Sequence, residues 1–299
     1  MTDEPISQSL FFTMADGLRV HARDYNRGAS GVLPLVCLPG LARTAQDFDV
    51  IANAIARGAA GAPRRVLSID YRGRGLSDHD KNWQNYDMRV ENADILQILA
   101  ATEIHEAIFL GTSRGGLHIM VMAATRPSAI RAAILNDIGP VLEAKGLARI
   151  KGYVGKLPQP SSWKDAVDIA KRIMGTQFHA LSEDDWLAYA KLTFEETDKG
   201  FVARYDPKLM KTLDAFNLEQ PLPVLWPQFA GLNHAPVLVL RGENSDLLSQ
   251  ETFEEMPRRH PACETFVVPG QGHAPLLLDK ASIASIAAFV SKHGEYKRA

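Results

Sequence analysis

The sequence predicts an α/β fold in which a mostly parallel sheet is covered by helices on both faces. Two observations predict it: short, almost purely apolar runs recur along the chain, and helical patterns separate most of them. Near-continuous apolar strands are typical of a parallel sheet, because neither face of such a sheet meets water. A chain of 299 residues, 46% of them hydrophobic, is long enough to bury a large core around this sheet.

The elements follow one another in a regular order. Residues 9–25 read as a hairpin with its turn at Asp16-Gly17. The apolar runs predicted as further strands are 34–38, 65–70, 107–111, 132–137, 236–241 and 264–269. Helical patterns cover 45–57, 87–101 and 115–126. Together these elements predict a doubly wound sheet of eight strands.

One long interval breaks the alternation. Residues 141–233 show no convincing strand and contain helix-like segments, one of which opens with a possible capping box at Ser182. We interpret this interval as a helical cap inserted after the sixth strand, with residues 1–140 and 234–299 forming the core. Its aromatic residues are expected mostly to hold the cap together, with a few facing a cleft above the sheet: Tyr153, Trp163, Phe178, Trp186, Tyr189, Phe194, Phe201, Phe216, Trp226 and Phe229.

Composition excludes several classes of protein. A formal net charge of −2 argues against a nucleic-acid partner, which would favour a basic face. No apolar run approaches the roughly 18 residues that span a bilayer, and the first residues lack the pattern of a signal peptide. The two cysteines form no C-x-x-C motif, which fits a reducing cytoplasm, and no histidines have the spacing of a metal site.

The stretch Gly111-Thr-Ser113-Arg114-Gly115 is a G-x-S-x-G motif. It follows a predicted strand and opens a predicted helix, which is the setting of a nucleophile elbow. Small residues are required around so sharp a turn. The serine hydroxyl would then stand at the end of the strand, and the backbone N–H of Arg114 would point toward a forming oxyanion.

With these motifs the chain resembles the α/β-hydrolase superfamily over residues 10–295. Leu38-Pro-Gly-Leu41 follows the third strand, where such enzymes carry an oxyanion loop, and the resemblance implies that the backbone N–H of Leu41 serves there. Residues 70–77, D-Y-R-G-R-G-L-S, are similar to the family's D-x-R-G-x-G-x-S segment. Gly270-Gln-Gly-His273 resembles the loop that delivers the catalytic histidine, so His273 is the expected base for Ser113.

The carboxylate that orients His273 has two candidates. Most relatives place it after a later strand, and that pattern puts Ser245 at the acid position, with Asp246 one residue beyond. A subgroup carries the acid after the sixth strand in a D-I-x-P segment, which Asp137-Ile-Gly-Pro140 resembles. We expect Asp137 to be the acid and keep Asp246 as the alternative.

The resemblance implies a serine hydrolase that cleaves a carboxylic ester or related acyl bond of a small molecule, without cofactor or metal. Arg114 departs from the apolar residue or Gln that commonly follows the serine, and Arg43 lies near the predicted mouth. Either guanidinium could bind a substrate carboxylate, which would suit a lactonase or C–C bond hydrolase acting on a small acidic substrate. A ligand-binding protein of this fold is a further alternative, and the oligomeric state stays open.

Overall fold

The computed structural model describes residues 7–214, 217–218 and 220–296. Phe216, one of the aromatic residues assigned to the cap, lies outside them. The strands are β1 (Ser7–Thr13), β2 (Arg19–Tyr25), β3 (Leu35–Leu38), β4 (Val66–Ile69), β5 (Ala107–Thr112), β6 (Ile130–Asn136), β7 (Phe194–Thr197), β8 (Gly200–Ala203), β9 (Val237–Gly242) and β10 (Cys263–Val268). The α-helices are α1 (Asp49–Ala56), α2 (Met88–Ala101), α3 (Arg114–Thr125), α4 (Ala144–Tyr153), α5 (Trp163–Met174), α6 (Glu183–Thr193), α7 (Met210–Asp214), α8 (Trp226–Ala230), α9 (Gln250–Arg259) and α10 (Lys280–His293).

Eight strands form one sheet in the order β1-β2-β4-β3-β5-β6-β9-β10. The predicted hairpin pairs β1 with β2 in antiparallel register, and β2 pairs antiparallel with β4. Along the sheet from β4 through β3, β5, β6 and β9 to β10, every neighbouring pair is parallel. The predicted eight-stranded, mostly parallel sheet is thus confirmed.

Both faces of the sheet are buried, as the apolar strands require. Along β3, Val36 and Leu38 pack into the apolar layer that includes residues of α2 and α3. Leu35 and Cys37 alternate with them and pack into the opposite layer with residues of α1 and α10. Because side chains alternate along a strand, a purely apolar strand contributes side chains to the buried layers on both faces of the sheet.

The chain between β6 and β9 adds no described strand to this sheet. It contains helices α4 to α8 and the antiparallel hairpin β7–β8. The prediction that 141–233 holds no strand is therefore wrong. Each of these strands has only four residues, which is too short to show an alternating pattern, and β7 follows directly after α6. The capping box at the start of α6 is present, since Ser182 Oγ accepts from the backbone N–H of Asp185.

Most aromatic side chains of this segment pack against one another. Trp163 meets Phe201 edge to face with ring centroids 4.9 Å apart, and Phe178 meets Trp186 in the same way at 6.4 Å. These pairs build apolar clusters that are separate from the two layers on the sheet. Among the described residues, no helix is both long and apolar enough to cross a membrane.

Glycines allow a very close approach where β5 turns into α3. A Cβ on Gly115 would lie 2.0 Å from the carbonyl oxygen of Leu38 at the end of β3. A Cβ on Gly111 would lie 2.4 Å from the carbonyl carbon of Gly115, and one on Gly116 would lie 2.2 Å from Ile138 Cγ2. The turn can therefore be this sharp only without side chains at these positions.

We expect Gly115→Ala to lower the free energy of unfolding by at least about 2 kcal/mol, because its methyl group would collide with backbone that has no room to move. Gly152→Ala is the matched control, since Gly152 lies in α4 and a Cβ there meets no atom within 4 Å. That control should raise stability by about 0.5–1 kcal/mol. Urea unfolding of both variants measures the difference, and equal stabilities would contradict the packing described here.

Candidate active site

The predicted site residues gather at the carboxyl edge of the sheet. Ser113 follows β5, Asp137 follows β6 and His273 lies beyond β10. Leu41 lies in the loop after β3. Parallel strands end at the same edge, so loops that are far apart in the sequence meet there, and open α/β sheets commonly bind their ligands at this edge.

Ser113, His273 and Asp137 form a chain of hydrogen bonds. Ser113 Oγ lies 2.9 Å from Nε2 of His273, and Nδ1 of the same ring lies 2.8 Å from Asp137 Oδ2. The aspartate side chain is fully buried and the histidine nearly so. A carboxylate can only accept at Nδ1, so the ring proton lies there and Nε2 is free to accept the serine proton. This arrangement can activate a hydroxyl for nucleophilic attack.

Local backbone structure positions the side chains of Ser113 and Asp137. Ser113 has φ 51° and ψ −112°, a strained conformation that turns its side chain out of the β5–α3 connection. Asp137 has φ 56°, which aspartate tolerates better than most residues. Its Oδ1 accepts from the backbone N–H of Gly242 at 2.7 Å, and its Oδ2 accepts from Ser245 Oγ at 2.6 Å. Strand β9 and the loop after it thus hold the carboxylate in place through Gly242 and Ser245, while Oδ2 also faces His273.

Asp246, the alternative acid, is engaged elsewhere. Both of its oxygens accept from Arg149 of α4, at 2.7 Å from Nε and 2.9 Å from Nη2. Burial raises the pKa of Asp246, but the hydrogen bonds from Arg149 and Gln177 and the positive charge of Arg149 together lower it below its usual value. The ion pair links the segment after β6 to the loop after β9, and it leaves the ring of His273 to Asp137.

The two expected oxyanion donors flank the serine. Arg114 is the first residue of α3, and backbone N–H groups in a first helical turn have no acceptor within the helix. Leu41 belongs to the cavity wall next to Gly40, where an added Cβ would come within 3.9 Å of Ser113 Cβ. Arg114 adjoins Ser113 in the chain and the backbone at Gly40 passes close to it, and the role of the Leu41 and Arg114 N–H groups stays a prediction.

The side chain of Arg114 does not reach the cavity. Its Nε donates to Glu91 Oε2 at 2.7 Å, and its Nη2 donates to the carbonyl oxygen of Tyr86 at 3.0 Å. The expectation that this guanidinium binds a substrate carboxylate is therefore not met, because the buried carboxylate of Glu91 holds it beneath α3.

Arg43 does line the cavity, but its guanidinium has partners. Its Nε donates to Asp47 Oδ1 at 2.5 Å, and Nη1 donates to Thr193 Oγ1 at 3.0 Å. The guanidinium carbon lies 4.7 Å from the ring centroid of Tyr189, so the cation also stacks on an aromatic face. A substrate carboxylate would have to share Arg43 with Asp47.

The cavity in front of Ser113 is mostly apolar. The loops after β3 and β10 contribute residues 39–42 and 274–277. The segment between β6 and β9 contributes larger side chains, among them Ile150, Tyr153, Ile169, Met174, Tyr189 and Phe194. Four aromatics of that segment thus line the cleft, namely Tyr205 and three of those named from the sequence, Tyr153, Tyr189 and Phe194.

Several residues of this site carry no signal in the sequence. Arg149 and Glu91 lie in ordinary amphipathic helices, and neither belongs to a motif. Ser245 is an exception, because the family resemblance places it at the position where most relatives carry the acid. Among the described residues, no group of three or more His, Cys, Asp and Glu side chains is arranged to hold a metal ion.

Comparison with known proteins identifies the family of the chain. The profile of the α/β hydrolase fold family matches residues 34–280. A 3-hydroxybutyrate-oligomer hydrolase from Cupriavidus necator is 32% identical over 260 residues, covering 84% of this chain and 85% of the relative. The sn-1-specific diacylglycerol lipase ABHD11 of Xenopus laevis is 26% identical, covering 80% of this chain and 73% of the relative.

Among solved structures, an α/β hydrolase from Novosphingobium aromaticivorans superposes with a TM-score of 0.87. It is 36% identical to this chain, and the match covers 97% of this chain and 99% of that one. The sheet, the family match and these relatives lead to one conclusion: the chain belongs to the α/β-hydrolase family and is a hydrolase.

Proposed function

We propose that the protein is a serine hydrolase that cleaves a carboxylic ester or related acyl bond through an acyl-enzyme intermediate. The observation that carries the proposal is the hydrogen-bonded chain Ser113–His273–Asp137 at the wall of a mostly apolar cavity. A serine hydroxyl attacks at neutral pH only when a base accepts its proton, and the chain supplies that base with its orienting carboxylate.

The reaction follows from these positions. Ser113 Oγ attacks the carbonyl carbon while His273 Nε2 takes its proton, and the N–H groups of Leu41 and Arg114 donate to the oxyanion. The tetrahedral intermediate collapses as His273 returns the proton to the leaving alcohol. Water then enters, His273 accepts its proton, and hydrolysis of the acyl-enzyme releases the carboxylic acid and restores Ser113. Asp137 orients the ring and stabilises the imidazolium in both halves of the reaction.

Two features guide the choice of the first substrates. The cavity wall is apolar, and the segment 141–233, which we propose as a cap over a core of residues 1–140 and 234–299, supplies much of it. The relative from Cupriavidus necator is a 3-hydroxybutyrate-oligomer hydrolase. Short-chain esters, including small esters of hydroxy acids, are therefore the first substrates to test.

Ser113→Ala should abolish turnover of p-nitrophenyl acetate, because no other hydroxyl is placed on His273 Nε2 within the described site. The chromogenic assay is run beside thermal unfolding to show that the variant is folded. Ser291→Ala, which removes an exposed hydroxyl from α10, serves as the control and should retain full activity. Turnover that survives in folded Ser113→Ala would overturn the proposal.

Asp137→Asn should lower kcat about 10⁴-fold, because an amide facing Nδ1 favours the wrong tautomer of His273. Asp246→Asn is the comparison, since it weakens the ion pair with Arg149 and leaves the His273 contact intact. We expect this second variant to lose thermal stability and less than about tenfold in kcat. The reverse ranking of the two variants in steady-state kinetics would make Asp246 the acid.

Arg43 favours a second candidate, a lactonase or C–C bond hydrolase for an acidic substrate, because it brings a guanidinium to the cavity wall. If Arg43 binds the acid group, Arg43→Met should raise KM for p-nitrophenyl hydrogen succinate at least about tenfold. KM for p-nitrophenyl butyrate, which has no such group, should change less than about twofold. Equal changes for both esters would exclude the second candidate as far as it depends on Arg43.

A further inference from the structure

A buried cluster of charged side chains lies beneath the start of α3, outside the cavity. At its centre is Glu91 of α2, which is fully buried. Its Oε1 accepts from Arg74 Nη1 at 2.6 Å, and its Oε2 accepts from Arg114 Nε at 2.7 Å. Nε2 of His118, also fully buried, lies 3.0 Å from the same Oε2.

The cluster reaches the loop on the other side of Ser113. Arg74 Nε donates to the carbonyl oxygen of Leu41 at 2.8 Å. The hydroxyl of Tyr71, whose ring packs on His118, donates to the carbonyl oxygen of Pro39 at 3.1 Å. Glu91 is thus joined to Arg114 directly and to Leu41 through one arginine. These are the two residues whose N–H groups we assign to the oxyanion.

The charges in the cluster are well defined. Burial alone would raise the pKa of Glu91, but the charges of Arg114 and Arg74 and the hydrogen bond from His118 together hold the pKa below its usual value. Burial lowers the pKa of His118. Asn92 Nδ2 donates to His118 Nδ1 at 3.0 Å, so the proton of the neutral ring lies on Nε2 and points at Glu91. A carboxylate therefore meets three donors.

We propose that Glu91 is a positioning residue for the oxyanion hole, which fixes Leu41 and Arg114 relative to each other and to Ser113. The inference depends on the proposed function. Oxyanion donors stabilise a transition state only when they are already aimed at the developing charge, and displacements of about 1 Å can cost up to 100-fold in rate. The two donors lie on separate loops, and one buried carboxylate ties both backbones to a common point.

The competing interpretation is that Glu91 only neutralises two buried arginines. Glu91→Gln distinguishes the two, because the amide can accept from one arginine but presents N–H groups to the other. Asp94→Asn is the matched control. Asp94 lies one turn further along α2, is buried, and pairs with Arg72 through hydrogen bonds of 2.8 and 2.9 Å, yet makes no contact with Leu41 or Arg114 among the described hydrogen bonds.

With p-nitrophenyl acetate, Glu91→Gln should lower kcat by about 10- to 100-fold while KM changes less than about threefold. A boronic acid inhibitor, which places an oxygen in the oxyanion hole when it binds Ser113, should lose affinity in parallel. Asp94→Asn should lower the melting temperature by a similar amount but keep kcat and inhibitor affinity within about twofold of the wild type.

A second variant guards against failure of Glu91→Gln to fold. Arg114→Met removes one arm of the cluster and keeps the backbone N–H, and it should show the same loss in kcat and boronic acid affinity, which Arg114→Lys partly restores. If the folded variants keep kcat and boronic acid affinity within twofold of the wild type while Ser113→Ala is inactive, Glu91 has only a structural role. The inference then fails while the proposed function stands. If Ser113→Ala stays active, the proposed function fails and the inference falls with it.

Discussion

The contact between the first turn of α3 and the end of β3 constrains everything around the site. Gly115 leaves no space for a methyl group beside the carbonyl oxygen of Leu38, so the elbow and the loop after β3 are held side by side. Ser113 must then adopt positive φ, a strain that persists only where the surroundings overdetermine it. They do so here, because the backbone N–H of Ser113 donates to Asn136 and its carbonyl oxygen accepts from Gly116. Strain and close packing together aim the hydroxyl at His273.

Buried or partly buried carboxylates decide where the arginines near the site point. Asp47, Glu91 and Asp246 each accept hydrogen bonds from a guanidinium, on Arg43, Arg114 and Arg149 respectively. A charge removed from water is costly unless it is paired and hydrogen-bonded, so each pair forms at the expense of other partners. An arginine beside a motif therefore indicates a substrate anion only when no acidic side chain competes for it. That competition involves residues far apart in the sequence, such as Glu91 and Arg114, and only the fold reveals it.

Local patterns predicted the fold because its main constraints are local. The alternation of β3 to β6 with helices, the glycines around Ser113 and the turn at Asp16-Gly17 can all be read from short stretches, and the strand bounds lie within two residues of those predicted. The hairpin β7–β8 escaped prediction because its strands are too short to show a period and follow a helix without a break. The partners of Arg114 and Asp246 escaped for a different reason, since no spacing in the sequence encodes which helices will face each other.

Two different chain segments supply the groups around His273: Asp137 comes from the loop after β6, and Ser245 comes from the loop after β9. Ser245 stands where most relatives carry the acid, and its hydroxyl donates to Asp137 Oδ2, the oxygen that also faces His273 Nδ1. A carboxylate at both positions would place two like charges within hydrogen-bond distance, and one of them would then be driven to protonate. A serine instead supplies a hydrogen-bond donor, which the carboxylate of Asp137 accepts without a second charge beside it. The loop after β9 thus contributes the hydroxyl of Ser245 as a donor, and the loop after β6 contributes the carboxylate of Asp137. Among the described hydrogen bonds, the His273 ring faces this one carboxylate.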